Sequence, residues 1–225
     1  MTRDGERVWV TRRVVASGSG NVAIYAAAKA AEMGAQVVAC SDSSGYVVDE
    51  AGLDIDLLRR VKEVDRARIS AYAEEREGAR YVEGGDVWEV ACEVALPCAT
   101  QNELDAGAAT TLVENGVLAV AEGANMPCTP KAVDILQENG VLFAPGKASN
   151  AGGVATSGLE MAQNSARLSW SRAKVDKKLE EIMVNIHKAA FETAEKYGKP
   201  GNYVFGANIA GFLKIAQAMM AQGVV

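Results

Sequence analysis

The residues whose types and spacing carry most chemistry are Gly18-Ser19-Gly20-Asn21-Val22-Ala23. They follow a short apolar run, Arg13 to Ser17, and precede an alanine-rich stretch, Ile24 to Met33, that stops at Gly34. Read as strand, turn and helix, each small residue has a steric task. Gly18 permits the tight turn, Gly20 lets a diphosphate approach the backbone, and Ala23 allows the helix to lie close on a sheet. The opening turn of such a helix offers unpaired N–H groups and a partial positive charge to an anion. A second buried run, Gln36 to Cys40, leads to Asp42, which lies 24 residues beyond Gly18 (42 − 18). Strand before, helix after and an acid at that distance favour dinucleotide binding over a glycine turn that merely joins two elements.

Three further clusters combine small residues with amide side chains. They are Pro97-Cys98-Ala99-Thr100-Gln101-Asn102, Glu122-Gly123-Ala124-Asn125-Met126-Pro127, and the run from Pro145 to Gly153 that contains Lys147 and Asn150. Amides donate and accept at once, which suits a carboxamide or a ribose hydroxyl. Each cluster follows an apolar run, so in a parallel sheet all three would open on the edge where the glycine turn opens.

The elements that must hold these residues alternate. Strands are expected at Arg13 to Ser17, Gln36 to Cys40, Tyr46 to Val48, Glu93 to Leu96, Leu118 to Ala121 and Val141 to Ala144. Helices are expected over Asp54 to Val64, Arg68 to Glu75 and Asp105 to Asn115, and again after Thr129, with Pro130 at the first position. This rhythm predicts an α/β fold, a Rossmann-like, doubly wound and mostly parallel sheet followed by C-terminal helices. Residues 1–12 read as an N-terminal extension or an extra strand, 13–150 as the core, and 151–225 as helices completing the same domain. Val8 to Val10 and Val14 to Ala16 both qualify as the first strand; adjacency to the turn favours the second. In the long helix begun by Ser171, Val175, Leu179, Ile182, Met183 and Ile186 share one face. His187 is the only histidine, and with no acid or nucleophile placed to work with it, a structural role is expected.

Composition narrows the partners. A net charge of −6, with no basic run interleaved with aromatics, disfavours nucleic acid. Cys40, Cys92, Cys98 and Cys128 form no CxxC pair and have no neighbouring histidine. They read as reduced core thiols, with no metal site. No apolar run approaches the roughly 18 residues needed to cross a bilayer, and the N-terminus lacks a signal-peptide core, so a cytoplasmic protein without a membrane partner is expected.

Taken together, Ser17 to Ala23, the PCATQNEL run, EGANMP, APGKASNAGGVATSGLEMAQN and the closing GANIAGFLKIAQAMMAQGVV resemble the hexameric bacterial glutamate dehydrogenases. The resemblance covers roughly residues 13 to 225 and implies oxidative deamination of L-glutamate to 2-oxoglutarate and ammonium, with reduction of NAD(P). By position it implies that Gly18, Ser19, Gly20, Asn21 and Val22 surround the diphosphate, and that Asp42 and Ser43 meet the adenosine ribose. Ala99, Thr100 and Gln101 would border the cofactor, while Asn125 and Asn150 hold the nicotinamide ribose and carboxamide. Val154 and Ser157 would touch the substrate side chain, the Ser157 hydroxyl donating to its distal carboxylate. A leucine, phenylalanine or valine dehydrogenase fragment fits Ser157 less well, since a hydroxyl suits a carboxylate better than an alkyl group.

The resemblance also implies a substrate domain that carries the catalytic lysine and aspartate, for which these residues hold no counterpart. No catalytic residue is therefore assigned in the chain, and Lys147 is expected to be structural. The chain is expected to bind the nicotinamide dinucleotide but, alone, not to turn over glutamate. The parent would be a homohexamer and the lone domain a monomer or weak dimer; a free-standing nucleotide-binding or regulatory module is the alternative. Asp42 by itself suggests NAD, because an acid there repels a 2′-phosphate. The run Cys40 to Gly45 resembles NADP-using members, which makes NADP the favoured cofactor and NAD the alternative.

Overall fold

The computed structural model describes residues 10–223. The chain divides into two compact units, Met1–Leu142 and Phe143–Val225.

The first unit is built on parallel strands. β1 (Arg13–Ala16) is flanked by β2 (Gln36–Asp42) on one side and β5 (Val94–Leu96) on the other, and β6 (Ala119–Ala121) follows β5, all in parallel. Beyond β2, β3 (Gly45–Val48) and β4 (Arg80–Glu83) run antiparallel. With β7 (Leu142–Ala144) the sheet order is β4-β3-β2-β1-β5-β6-β7. The expected mostly parallel sheet is present, with an antiparallel edge. β4 escapes a reading by pattern because Tyr81 and Val82 are its only apolar residues. It is an edge strand flanked by Arg80 and Glu83, the charged dressing that keeps edges from pairing with other chains.

Val14, Val15 and Ala16 of β1 are fully buried, as are Val38 and Ala39 of β2. Near-continuous apolar runs are what a strand covered on both faces requires. α1 (Asn21–Glu32) packs Ala23, Ile24, Ala27 and Ala30 inward. Between β3 and β4 lie α2 (Ile55–Arg59), a π-helical turn at Arg60–Val64, and α3 (Ser70–Glu75). The single helix expected over Asp54 to Val64 is thus two segments, capped by Asp54, whose carboxylate accepts from the Asp56 and Leu57 N–H groups. α4 (Ala106–Glu114) and α5 (Pro130–Glu138) follow β5 and β6, with Asp105 and Thr129 as their caps. Of the two candidates for the first strand, Val14 to Ala16 is the one that pairs. Val10 is a turn residue, and the rest of Val8 to Val10 lies outside the described residues.

The second unit is helical after β7: α6 (Gly146–Ser149), α7 (Gly152–Ala166), α8 (Arg172–Lys196) and α9 (Tyr203–Gln222). Val175, Leu179, Ile182, Met183 and Ile186 are all half-buried on one face of α8. α8 and α9 pack closely at Gly206, where a Cβ would run into the Ala190 carbonyl. Elsewhere the apolar faces stay open: Phe212, Ile215 and Met220 are 65%, 62% and 83% exposed. α9 also departs from the expectation that no segment suits a bilayer. Lys214 and Gln217 interrupt its apolar run, yet its most apolar 18 residues average a mean hydropathy of 1.3, enough in length and composition to span one.

Candidate functional site

The order of the parallel strands reverses at β1, with β2 on one side and β5 on the other, and ligands bind at such a switch point beyond the strand ends. An open cavity of about 590 Å³ lies there. Its floor is the turn from Gly18 to Val22. Gly18 has φ +80°, and a Cβ on it would meet Ala99 Cβ at 3.0 Å, so the turn and the β5 loop touch at a point only glycine allows. A Cβ on Gly20 would meet nothing within 4 Å; the space above it is open. Gly20 is also the extended N-cap of α1 and has no side chain to cap it. The first bond of the helix ladder is Ile24 N–H to the Gly20 carbonyl at 2.9 Å, which leaves the N–H groups of Asn21, Val22 and Ala23 ahead of it. An anion is the natural partner of such a cradle.

At the end of β2 the acid is not a free acceptor. Asp42 Oδ1 accepts from Ser44 N–H at 2.8 Å, and Oδ2 accepts from Ile69 N–H at 3.1 Å. Its side chain is only 8% exposed, and Arg68 Nη1 stands 3.9 Å away. Arg68 is itself 64% exposed and donates to Ser43 Oγ at 2.8 Å. Ser41, one residue earlier, accepts the Gly18 N–H at 2.8 Å and so ties the glycine turn to β2.

At the end of β5 a second network joins the opposite wall. Ser17 Oγ accepts from Cys98 N–H and donates to Glu103 Oε1, both at 2.8 Å. Glu103 Oε1 also accepts from the N–H groups of Ala99 at 3.0 Å and Thr100 at 3.4 Å. Burial raises the Glu103 carboxyl above the usual range, against the lowering effect of those hydrogen bonds. The Cys98 thiol is pushed up to about 12 by burial and then by the Glu103 charge, so it is not a nucleophile at neutral pH. All four cysteines are free and buried, as core thiols should be.

Of the residues expected to bind cofactor, Gly18, Ser19, Gly20, Asn21, Val22, Asp42, Ser43, Ala99 and Thr100 line this one cavity, joined by Ser41, Cys98 and Glu103. Gln101 is exposed beside it and is not part of the lining. Asn125 is likewise exposed and outside the lining, although its loop leans on the cavity wall: a Cβ on Gly123 would meet Val22 Cγ1 at 3.1 Å. The Asn125 loop is pinned to the β5 loop by Asn102 N–H to the Met126 carbonyl and Leu104 N–H to the Pro127 carbonyl, each at 3.0 Å.

Three expected residues belong to the second unit. Asn150 closes α6, its N–H donating to the Gly146 carbonyl at 2.9 Å. Val154 is 69% exposed, and Ser157 is exposed with its hydroxyl turned back to the Gly153 carbonyl at 3.4 Å. Lys147 Nζ donates to Asn208 Oδ1, joining α6 to α9. His187 Nε2 lies 3.1 Å from the Tyr203 hydroxyl, and its ring stacks with Phe191.

Arg68, Ser41 and Glu103 are the site residues that sequence reasoning passes over. Arg68 had a signal, a basic cluster shortly after the acid-tipped strand. Ser41 and Glu103 had none stronger than polarity beside a motif.

Known proteins share both this sequence and this geometry. The NADP-specific glutamate dehydrogenase of Salmonella typhimurium is 59% identical over 219 residues, covering 95% of this chain and 48% of that protein. An NAD-specific glutamate dehydrogenase of Bacteroides fragilis is 49% identical, covering 95% of this chain and 49% of that protein. The crystal structure of Plasmodium falciparum glutamate dehydrogenase superposes with a TM-score of 0.92 at 44% identity, over 95% of this chain and 47% of that one. The chain thus spans about half the length of the curated relatives it matches. With residues 2–223 matching the profile of the glutamate/leucine/phenylalanine/valine dehydrogenases, the chain belongs to that family.

Proposed function

We propose that this chain is the dinucleotide-binding half of a cytoplasmic glutamate dehydrogenase and that NADP is its cofactor. The observation that carries the reading is the cavity at the β1/β5 switch point. Its floor is the open backbone of Gly20 and the first N–H groups of α1, which suit a diphosphate. The residues present fit the rest of the cofactor as well. Ser43 and Arg68 would hold a 2′-phosphate on the adenosine ribose, beside Asp42, whose carboxylate is fixed by the Ser44 and Ile69 N–H groups. The nearby Arg68 guanidinium offsets the charge by which an acid at this strand tip would repel phosphate. The Salmonella relative is NADP-specific and the Bacteroides fragilis relative NAD-specific, so the choice rests with local residues such as these.

Ala99 and Thr100 border the cofactor in this reading, with Gln101 and Asn125 on the adjoining rim. Asn150 would hold the nicotinamide carboxamide, and Val154 and Ser157 would meet the glutamate side chain. When bound, the cofactor supplies the hydride acceptor for deamination. Fixation of two carboxylates needs cations, which the cavity lining does not hold, and activation of water needs a base placed beside the substrate. Those groups are assigned to the part of the relatives' length that this sequence does not span. In the assembled enzyme the subunits are proposed to form a homohexamer.

Fluorescence titration of the purified chain with NADPH and with NADH tests cofactor choice, with tighter NADPH binding expected. Steady-state assays with glutamate and NADP test the division of labour. Turnover by this chain alone would overturn it.

A further inference from the structure

Among the described residues, Glu103 is the acid that joins the Ser17 wall of the cavity to the Ala99 wall, and its two oxygens are in different situations. Oε1 takes three hydrogen bonds, from Ser17 Oγ, Ala99 N–H and Thr100 N–H. Oε2 has no hydrogen-bond partner among the described residues, and Glu103 is one of the residues lining the cavity. A carboxylate oxygen with nothing donating to it needs a hydroxyl, an amide or water. The diphosphate has nothing to donate at neutral pH, and a 2′-phosphate, which can keep one proton, belongs to the adenosine end. Of the other groups on a nicotinamide dinucleotide, the sugar hydroxyls, the carboxamide and the adenine amine donate.

Position selects among them. Asp42, Ser43 and Arg68 mark the adenosine end at the tip of β2. Glu103 belongs to the loop after β5, two strand spacings or roughly 10 Å across the sheet, with β1 and its phosphate cradle between. A dinucleotide lying from β2 over the glycine turn brings its second ribose, beyond the diphosphate, to β5. We infer that Glu103 is a cofactor-binding residue whose Oε2 accepts a hydrogen bond from a hydroxyl of the nicotinamide-side ribose, while Oε1 braces the Ser17 and Ala99 walls against each other. This assignment rests on the dinucleotide reading above.

Glu103→Gln separates the two roles. The single amide oxygen can keep the three bonds of the brace, which then turns the NH2 group, a donor, toward the donating hydroxyl. The test is three titrations of the 225-residue chain, wild type and E103Q, with NADPH, with ADP-ribose, and with adenosine 2′,5′-bisphosphate, which lacks the second ribose. The expected result is about tenfold weaker NADPH and ADP-ribose binding by E103Q, with adenosine 2′,5′-bisphosphate unchanged and an apo unfolding temperature no lower than wild type. Equal NADPH affinity for the two proteins would reduce Glu103 to a brace and overturn the inference. So would an equal loss for all three ligands. Should the wild-type chain bind none of them, the dinucleotide reading falls and the inference with it.

Discussion

Arg68 stands 3.9 Å from Asp42, a residue of the cavity lining, with the guanidinium exposed and the carboxylate nearly buried. Each oxygen of the acid already accepts a backbone N–H group, which fixes it to its own turn and to the Ile69 backbone. What faces solvent there is a cation and the Ser43 hydroxyl it touches. Arg68→Ala is therefore expected to weaken NADPH binding about tenfold, the scale of one charge-assisted contact, and to leave NADH nearly unchanged. Parallel titrations of the variant with both nucleotides check this; an equal loss for both would remove Arg68 from the discrimination.

Gly18 and Gly20 should fail in opposite ways. Gly18→Ala forces a side chain into φ +80° and against Ala99, and should lower stability by about 1–3 kcal/mol. Gly20→Ala has ordinary backbone angles, φ −88° and ψ −173°, and open space, so its melting temperature should hold. Its new methyl would occupy the phosphate approach and cut dinucleotide affinity at least about tenfold. Thermal melts beside binding curves separate the two; a binding-competent Gly20→Ala would show that no phosphate sits on the cradle.

Much of this site was legible in the residues because its parts are local. The turn, the helix it opens and the tip of β2 lie within one stretch, and small residues leave few alternatives to a strand–turn–helix. Ala99 and Thr100 were reachable because a loop after an apolar run must lie at a strand end. Arg68, Ser41 and Glu103 work through contacts 23 to 86 residues apart, Arg68 to Ser43, Gly18 to Ser41 and Ser17 to Glu103, which no spacing rule encodes. The π-helical turn at Arg60–Val64 and the edge strand β4 stayed hidden for a related reason, since both are set by what packs beside them.

The cysteines offer a test of burial. Cys92 and Cys98 are pushed up to about 12 by desolvation, and Cys40 and Cys128 are raised further. At pH 8 the native chain should react with a thiol reagent at close to none of its four cysteines, and with all four after denaturation. Rapid labelling of the folded chain, read by mass spectrometry, would contradict the buried placement.

Alkaline stability should report Tyr72. Its side chain is fully buried, and its hydroxyl accepts from Asp54 N–H at 2.8 Å and lies 3.4 Å from Asp49 Oδ2. Burial raises the folded phenol from 10 to about 12. As pH climbs through 10 the unfolded tyrosine releases its proton while the folded one keeps it, so the native state loses stability until pH passes 12. Tyr72→Phe should be less stable at pH 7, by about 1–2 kcal/mol for the lost hydrogen bonds, but decline less steeply above pH 10. Denaturant unfolding at several pH values measures both slopes; identical slopes would place the hydroxyl in water.

Direct titration of this chain with NADPH, read by fluorescence of the reduced nicotinamide, bears hardest on the claim that the β1/β5 cavity grips a phosphorylated dinucleotide. The expected result is saturation at one molecule per chain, displacement by adenosine 2′,5′-bisphosphate, and a weaker response to NADH. A flat signal up to millimolar NADPH, or binding that Gly20→Ala leaves untouched, would contradict it.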